Sequence, residues 1–156
     1  PIPVLRKEFI IDEFQLIEAK AYGASVILLI AACLTPASTH SLATFAKSIG
    51  LEVLLEMHDA TELGHISDAV DFVGINNRSL KSFEVNIEHS LQLKNQLPKN
   101  ILSIAESGIY SLETFMLLKK EGFDGFLIGE NFMKTSNPAA AFEAFVADLK
   151  KQENEN

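Results

Sequence analysis

A repeated order of helix end, glycine and apolar strand limits this sequence to a small set of folds. The order occurs three times, at residues 19–30, 45–56 and 118–129. In each copy a glycine follows a helix-like segment, where its tolerance of a positive φ allows it to end the helix. An apolar run without polar alternation begins shortly afterwards, and such runs are typical of parallel strands covered on both faces. The repeat therefore predicts strand–helix units in series.

Six strands follow from this pattern, and each is expected to lead into a helix. They are predicted near residues 3–7, 25–31, 52–56, 71–75, 101–106 and 124–128. Three helix starts carry typical capping residues: Thr35 before Pro36, Asp59 with Glu62 three positions on, and Ser111. The last helix is expected at about 137–150. Residues 1–150 are therefore predicted to form one partial barrel domain, and residues 151–156 a polar tail.

Six strand–helix units in series predict an α/β fold with a parallel sheet and right-handed crossovers. A (β/α)8 TIM barrel contains eight such units, and the six found here correspond to its third to eighth strands. The alternative is an open doubly wound sheet, which usually carries a glycine-rich loop after its first strand. Residues 7–9 contain no glycine, so the barrel is favoured. Because Pro1 has no preceding methionine and leads directly into a strand, we expect a truncated or processed chain.

Length and charge restrict the function further. The 156 residues suffice for one buried core. A formal net charge of −8 argues against a nucleic-acid partner, which requires clustered Lys and Arg, but a local site can still bind a small phosphorylated substrate. No apolar stretch is long enough for a membrane span and no signal peptide is visible, so no membrane partner is expected. The single cysteine, Cys33, fits a reducing cytoplasm and is expected to be buried.

Polar residues and glycines follow the apolar part of most predicted strands. In barrels the active site forms at the carboxyl ends of the strands, so these residues are expected to converge. In chain order they are Lys7, Glu56, Asn76-Asn77-Arg78, Glu106-Ser107-Gly108 and Gly129-Glu130. The pattern predicts an active site at this end of the sheet.

Each of these residues also has a structural interpretation. Lys7 alone is compatible with a solvated lysine at a sheet edge, and Asn76 to Arg78 with an ordinary turn. A carboxylate at Glu56 is unfavourable in a strand unless it is paired or used in a reaction. The pattern Glu56-x-His58-Asp59 is too short to indicate a metal site, and no metal is expected. The other three histidines are expected at the surface: His40, His65 and His89.

Two glycine-containing turns near the end of the chain indicate a phosphate site. Gly108, with Ser107, follows what would be the seventh barrel strand, and Gly129 follows the eighth. Loop glycines and a short helix at these positions present backbone N–H groups to an anion. Residues 130–133 are short enough to be that helix.

With these residues placed, the chain closely resembles the indole-3-glycerol phosphate synthase family of tryptophan biosynthesis. The motifs that carry the resemblance occur in family order over nearly the whole chain: PVLRKEFI at 3–10, LEVLLEMH at 51–58, VGINNRSL at 73–80, AESGI at 105–109 and GFLIGE at 125–130. The resemblance implies a cytoplasmic carbon–carbon lyase with no cofactor. The family closes the ring of 1-(2-carboxyphenylamino)-1-deoxyribulose 5-phosphate, with loss of carbon dioxide and water, to give indole-3-glycerol phosphate.

The resemblance also implies roles for individual residues. Lys7 would be the general acid, Glu56 would stabilise the developing cation or act as a base, and Glu106 would be a further active-site carboxylate. Substrate-binding positions would be Phe9, Leu28, Asn76, Arg78, Leu80 and Ser107. Phosphate-binding positions would be Gly108, Gly129 and Glu130, the last through its backbone N–H.

The sequence departs from the family pattern in one respect. The family's first strand carries Glu-x-Lys followed by a Ser-Pro-Ser turn, and nothing in these residues matches it. We therefore expect the 156 residues alone to be inactive, and the open edges of a partial barrel to favour self-association. Two alternatives remain: another phosphate-binding barrel such as phosphoribosylanthranilate isomerase, and a non-catalytic phosphate-binding fragment.

Overall fold

A computed structural model describes residues 2–78 and 84–154 of the chain. Its strands are β1 (Leu5–Arg6), β2 (Val26–Ile30), β3 (Glu52–Met57), β4 (Phe72–Asn76), β5 (Leu102–Glu106) and β6 (Gly125–Leu127). Its α-helices are α1 (Glu13–Ala21), α2 (Pro36–Ser48), α3 (Ile87–Lys94), α4 (Leu112–Lys120), α5 (Glu130–Met133) and α6 (Pro138–Asn154). Two 3₁₀-helices, Ala31–Cys33 and Ala60–His65, follow β2 and β3.

The six strands form one parallel sheet in which each strand pairs with its neighbours along the chain, in the order β1 to β6. This order, with helices between the strands, is that of a (β/α) barrel and not of a doubly wound sheet, in which the strand order reverses. The predicted partial (β/α)8 barrel of six units is confirmed.

Most predicted helix starts are confirmed by side-chain caps. The Thr35 side chain accepts a hydrogen bond from Ser38 N, with Pro36 in the first turn, and the Ser111 side chain accepts one from Thr114 N. The predicted capping box of Asp59 and Glu62 is also present. The element that it caps is a 3₁₀-helix, so the prediction of an α-helix after β3 is wrong.

Two element ends also differ from the prediction. Strand β1 has only two residues, because Leu5 and Arg6 alone pair with β2. Helix α6 continues to Asn154, so residues 151–154 belong to a helix and not to a polar tail. Within the described ranges, no helix combines the length and apolar character required to cross a membrane.

The core has two parts, one on each side of the sheet. The larger part packs the outward-facing strand residues, such as Leu29, Leu55 and Val73, against the helices. The smaller part contains Leu28, Ile30 and Leu54 on the opposite, inner face. Because strand side chains alternate between faces, two buried faces explain the uninterrupted apolar runs in the sequence.

Two expectations about burial are wrong. His65 is buried with 8% exposure, because the 3₁₀-helix turns it towards α2, where its Nδ1 lies 2.9 Å from the hydroxyl oxygen of the fully buried Thr39. Cys33 is exposed, because β2 ends at Ile30 and Cys33 lies in the 3₁₀-helix that leaves the sheet. His40 and His89 are exposed as expected.

Asp124 ties the amino-terminal ends of β5 and β6 together. Its carboxylate Oδ2 accepts hydrogen bonds from the backbone N of Ser103 (2.7 Å) and the Ser103 hydroxyl (3.0 Å). Its own backbone N donates to the Ser103 carbonyl at 2.8 Å. Since Ser103 is 3% exposed, its polar groups have little access to water as an alternative partner.

The variant Asp124→Ala is expected to lower the free energy of unfolding by about 1–3 kcal/mol, because it leaves the Ser103 donors unpaired. Asp124→Asn keeps an acceptor oxygen and should lose less. Asp148→Ala, which removes a solvent-exposed pair with Lys151, serves as the control and should change the stability by at most about 0.5 kcal/mol. Urea unfolding of the variants measures these differences, and equal losses for Asp124→Ala and Asp148→Ala would contradict the prediction.

Candidate active site

The inner face of the sheet changes from apolar to polar towards the carboxyl ends of the strands. Leu54 and Ile104 lie one alternation step below Glu56 and Glu106, on β3 and β5 respectively. On β4, between them, Asn76 pairs in register with Glu106. The two carboxylates are therefore placed above an apolar layer by the same alternation that builds the core.

Lys7, the first residue after β1, lies between the two carboxylates. Its Nζ is 3.0 Å from Glu56 Oε2 and 3.1 Å from Glu106 Oε2. The Glu56 and Glu106 side chains are almost completely buried, whereas half of the Lys7 side chain is exposed. Asn76 Nδ2 donates to the other Glu56 oxygen, Oε1, at 3.0 Å. The site thus holds one cation, open to solvent on one side, against two buried acids.

The two carboxyl groups differ in their pKa values. Burial, reinforced by the negative charge of Glu56, raises the pKa of Glu106 to about 8, despite the opposing effect of Lys7. Burial also acts to raise the pKa of Glu56, but the hydrogen bond from Asn76 and the charge of Lys7 outweigh it and lower this pKa. Burial acts to lower the pKa of Lys7, and the two carboxylates reverse this and raise it. At neutral pH the site therefore contains an anionic Glu56, a protonated Glu106 and a Lys7 ammonium group.

This pKa of Glu106 predicts a pH dependence of stability. Because the value is raised from 4.5 to about 8, the folded chain keeps a proton that the unfolded chain releases, so this group's contribution to stability falls as pH rises from about 4.5 to about 8. The difference in unfolding free energy between the native chain and Glu106→Gln should therefore decline over this window, by a few kcal/mol in total, and level off above it. Urea unfolding from about pH 5 to about pH 9 tests this, and a constant difference would contradict it.

Gly74 provides the space that Glu106 occupies. A Cβ atom at Gly74 would lie 1.9 Å from Glu106 Oε1 and 2.9 Å from its carboxyl carbon. Sequence reasoning missed this residue, although an isolated glycine within a buried strand is a recognised sign of close approach by another group. Glu106 Oε1 itself is buried and has no hydrogen-bond partner among the residues that the structure describes.

The loop after β5 has a backbone conformation that requires support. Ser107 has φ = 64°, unusual for a residue with a side chain, and Gly108 follows with φ = 69°. Asn77, which is 3% exposed, donates from its backbone N to the Glu106 carbonyl (2.8 Å) and from Nδ2 to the Ser107 carbonyl (2.7 Å). Asn77 was among the strand-end residues expected at the site, but no role was assigned to it from the sequence. Sequence alone does not distinguish a side chain that binds backbone from one that faces a ligand.

Two adjoining cavities share Lys7 and Ser107. A cavity of about 200 Å³ is lined by Lys7, Glu8, Phe9, Leu28, Ile30, Glu56, Asn76 and Ser107. A cavity of about 360 Å³ is lined by Lys7, Arg78, Glu106, Ser107, Gly108, Ile109, Tyr110, Leu127, Ile128, Gly129, Glu130 and Asn131. The first presents apolar side chains next to Glu56, and the second presents the turn glycines and the start of α5. The two cavities adjoin at Lys7, so together they have room for one extended ligand that passes this side chain.

Arg78 closes one side of the larger cavity through contacts that the sequence did not predict. Its guanidinium donates to the Tyr110 hydroxyl at 2.7 Å and forms an ion pair with the Glu130 carboxylate. The Tyr110 hydroxyl also donates to Glu130, at 3.2 Å. The hydrogen bond from Arg78, followed by its charge, lowers the pKa of Glu130. The Glu130 side chain is thus directed to Arg78, whereas its expected contribution was a backbone N–H.

All but one of the residues predicted for the site line these two cavities. The exception is Leu80, which lies outside the described residues. Phe9 lines the smaller cavity while remaining 60% exposed. The predicted short helix after Gly129 is α5, and Gly129 is its N-cap. No group of three or more His, Cys, Asp or Glu side chains suited to a metal ion occurs within residues 2–78 and 84–154.

Comparison with known families supports the interpretation of these motifs. The model of the indole-3-glycerol phosphate synthase family matches residues 1–145. The chain belongs to this family. The synthase of Bacteroides thetaiotaomicron is 48% identical over 145 residues, which are 93% of this chain and 56% of that protein. The synthase of Koribacter versatilis is 46% identical over 146 residues, with the same coverage. The chain thus spans about half the length of these synthases.

Solved structures support the fold of this synthase-family chain. The 3-hexulose-6-phosphate synthase of Salmonella typhimurium superimposes with a TM-score of 0.77 at 16% identity, covering 96% of this chain and 74% of the other. A tryptophan synthase α-subunit of Pyrococcus furiosus gives 0.72 at 19% identity, covering 96% and 66%. At these identities the likeness concerns the fold alone.

Proposed function

We propose that this chain carries part of the active site that converts 1-(2-carboxyphenylamino)-1-deoxyribulose 5-phosphate into indole-3-glycerol phosphate, with release of carbon dioxide and water. The contact of Lys7 with Glu56 and Glu106, at the junction of two cavities, carries this proposal. The family match supports it and favours the synthase over phosphoribosylanthranilate isomerase. The substrate has an aromatic ring at one end and a phosphate at the other. In this proposal the ring enters the smaller cavity, beside Phe9 and Leu28, and the phosphate enters the larger one, beside the turn glycines.

In this proposal Lys7 is the general acid of ring closure. Its ammonium group donates a proton to the ribulose carbonyl oxygen while the ring carbon that bears the carboxylate attacks the carbonyl carbon. The neighbouring Glu56 and Glu106 raise the pKa of Lys7, so it remains an ammonium group in the free site, which is the state that a general acid requires. The attack places positive charge on the aromatic amine, and the anionic Glu56 is positioned to stabilise this charge.

The remaining steps release carbon dioxide and water. Loss of carbon dioxide restores the aromatic ring. The hydroxyl formed from the carbonyl then leaves as water with a proton from a general acid, and the carbon between the amine and the former carbonyl loses a proton to the anionic Glu56, so that the C=C bond of the indole forms. Glu106, with a pKa of about 8, holds a proton at neutral pH and is suited to be this general acid. Phe9 and Leu28 would contact the aromatic ring, Asn76 and Arg78 its polar substituents, and Ser107, Gly108, Gly129 and the backbone of Glu130 the phosphate.

The test compares two proteins: the 156-residue chain alone, and a chimera in which it follows the segment that precedes the matched region in the Bacteroides thetaiotaomicron synthase. We expect the chain alone to show no turnover. The family's first strand carries a Glu-x-Lys motif followed by a Ser-Pro-Ser turn, and these residues contain no match to that combined motif. The chimera should produce indole-3-glycerol phosphate, measured by fluorescence. A folded chimera without turnover would count against the proposed function, and turnover by the isolated chain would refute its expected inactivity.

A further inference from the structure

His58 lies beside the site on the same strand as Glu56. It follows the last residue of β3 and is two positions beyond Glu56, so both side chains project from the same face. Its backbone is fixed on both sides: its N donates to Glu62 Oε2 at 2.6 Å, and its carbonyl accepts from the His89 ring Nε2 at 2.9 Å. The His58 side chain is only 11% exposed.

The two ring nitrogens of His58 are buried but make no hydrogen bond with any residue in the described part of the chain. Buried polar groups in proteins nearly always have a partner, so an unpaired imidazole calls for an explanation. Its Nε2 lies 3.3 Å from Glu56 Oε1, within hydrogen-bonding distance, but the ring is turned out of alignment with that oxygen.

We propose that His58 is a positioning residue for Glu56. A rotation of the ring aligns Nε2–H with Glu56 Oε1, the oxygen that already accepts a hydrogen bond from Asn76. Two donors then hold Oε1, while Oε2 faces the Lys7 ammonium. Nothing in the sequence distinguished this role, because His58 was considered there only as a metal ligand and rejected.

The hydrogen bonds from His58 and Asn76 should keep Glu56 oriented when substrate is bound. This part of the inference rests on the proposed function. As the substrate carbonyl engages the Lys7 ammonium, Glu56 shares its charged partner with the substrate. The bonds from His58 and Asn76 do not involve the reacting atoms and keep the Glu56 carboxylate oriented. The ionisable groups that face Glu56 are Lys7 after β1, Glu106 on β5 and His58 itself, and the backbone of His58 contacts Glu62 and His89.

Nuclear magnetic resonance of the ¹⁵N-histidine-labelled chain tests the contact without relying on activity. We expect the His58 Nε2–H proton to be shifted downfield and protected from exchange with water. Glu56→Ala removes the acceptor and should abolish both properties. Glu52→Ala removes an exposed carboxylate at the other end of β3 and should leave them unchanged. A His58 signal that is unaffected by Glu56→Ala would overturn the proposal, whatever the outcome of turnover assays.

The chimera allows a second test with matched variants. His58→Gln places an amide donor near the position of Nε2, whereas His58→Asn places it near Nδ1. We expect His58→Gln to retain kcat to within about twofold and His58→Asn to lose about tenfold or more, with KM little changed in both. Equal losses in the two variants would show that the ring only fills space and would overturn the positioning role. Failure of the proposed function would instead appear as a chimera that is inactive with His58 in place.

Discussion

Replacing Lys7 with methionine is expected to lower kcat/KM of the chimera for ring closure by about 10²- to 10⁴-fold, the usual contribution of a general acid. Methionine retains most of the side-chain length but removes the ammonium group that lies between Glu56 and Glu106. The pKa of Glu106 should rise further in this variant, because Lys7 acts to lower it. Steady-state assays of indole-3-glycerol phosphate formation measure the loss.

Two variants show whether this loss is specific to the acid. Lys7→Arg keeps a positive charge but cannot release a proton at accessible pH, so it should not restore turnover. Lys20→Met removes a lysine that donates to the Gly50 carbonyl far from the strand carboxyl ends, and it should leave kcat/KM unchanged. If Lys7→Met retained turnover within tenfold of the unmodified chimera, the assignment of the general acid would be wrong.

Lys7→Met should also affect stability, but less than activity. Without Lys7 the two buried carboxyl groups have no cation, although the proton held by Glu106 removes most of the repulsion between them. Half of the Lys7 side chain is exposed, so solvent already weakens its ion pairs. The free energy of unfolding is therefore expected to fall by only about 1–2 kcal/mol. A variant that remains folded and inactive separates a catalytic role from a structural one.

The second large effect is expected from Gly74→Ala. A Cβ atom at Gly74 would lie 1.9 Å from Glu106 Oε1 and 3.3 Å from the Leu54 methyl carbon Cδ1. The Glu106 side chain must leave its place, because the strand backbone is held by register on both sides. We expect kcat/KM of the chimera to fall by about 100-fold or more, and the free energy of unfolding by about 1–3 kcal/mol.

A double-mutant cycle identifies the cause of the Gly74→Ala effect. In a Glu106→Ala background the clash with the carboxyl group is absent and only the 3.3 Å approach to Leu54 Cδ1 remains, so Gly74→Ala should cost clearly less stability than it does when Glu106 is present. Gly64→Ala is the matched control, since a Cβ there meets no atom within 4 Å and the backbone has no positive φ. Additive losses for Gly74→Ala and Glu106→Ala would show that the glycine is required for the strand and not for the carboxyl group.

The sequence predicted the strand–helix order because the signals for it are local. A glycine after α1 or α2, followed by an apolar run, is recognisable within a dozen residues. The site carboxylates and Lys7 were also predictable, since strand ends converge in any parallel barrel. What the sequence did not reveal depends on partners distant along the chain. A glycine is needed at position 74 because the Glu106 side chain occupies the space of a Cβ atom there. His65 is buried because it contacts Thr39 and lies in a 3₁₀-helix where an α-helix was expected.

The contact between Lys7 and Glu106 has a consequence for the order of events in folding. All strand pairs in the described residues join neighbours along the chain, so each pair closes a much shorter stretch of chain than the Lys7–Glu106 contact does. The Lys7–Glu106 contact instead joins residues 99 positions apart, from β1 to β5, and exists only once the intervening strands have curved into an arc. The carboxyl contacts raise the pKa of Lys7 and so lower its reactivity towards an amine reagent. During refolding this loss of reactivity should lag behind the recovery of secondary structure, so that a single lysine reports when the arc is complete.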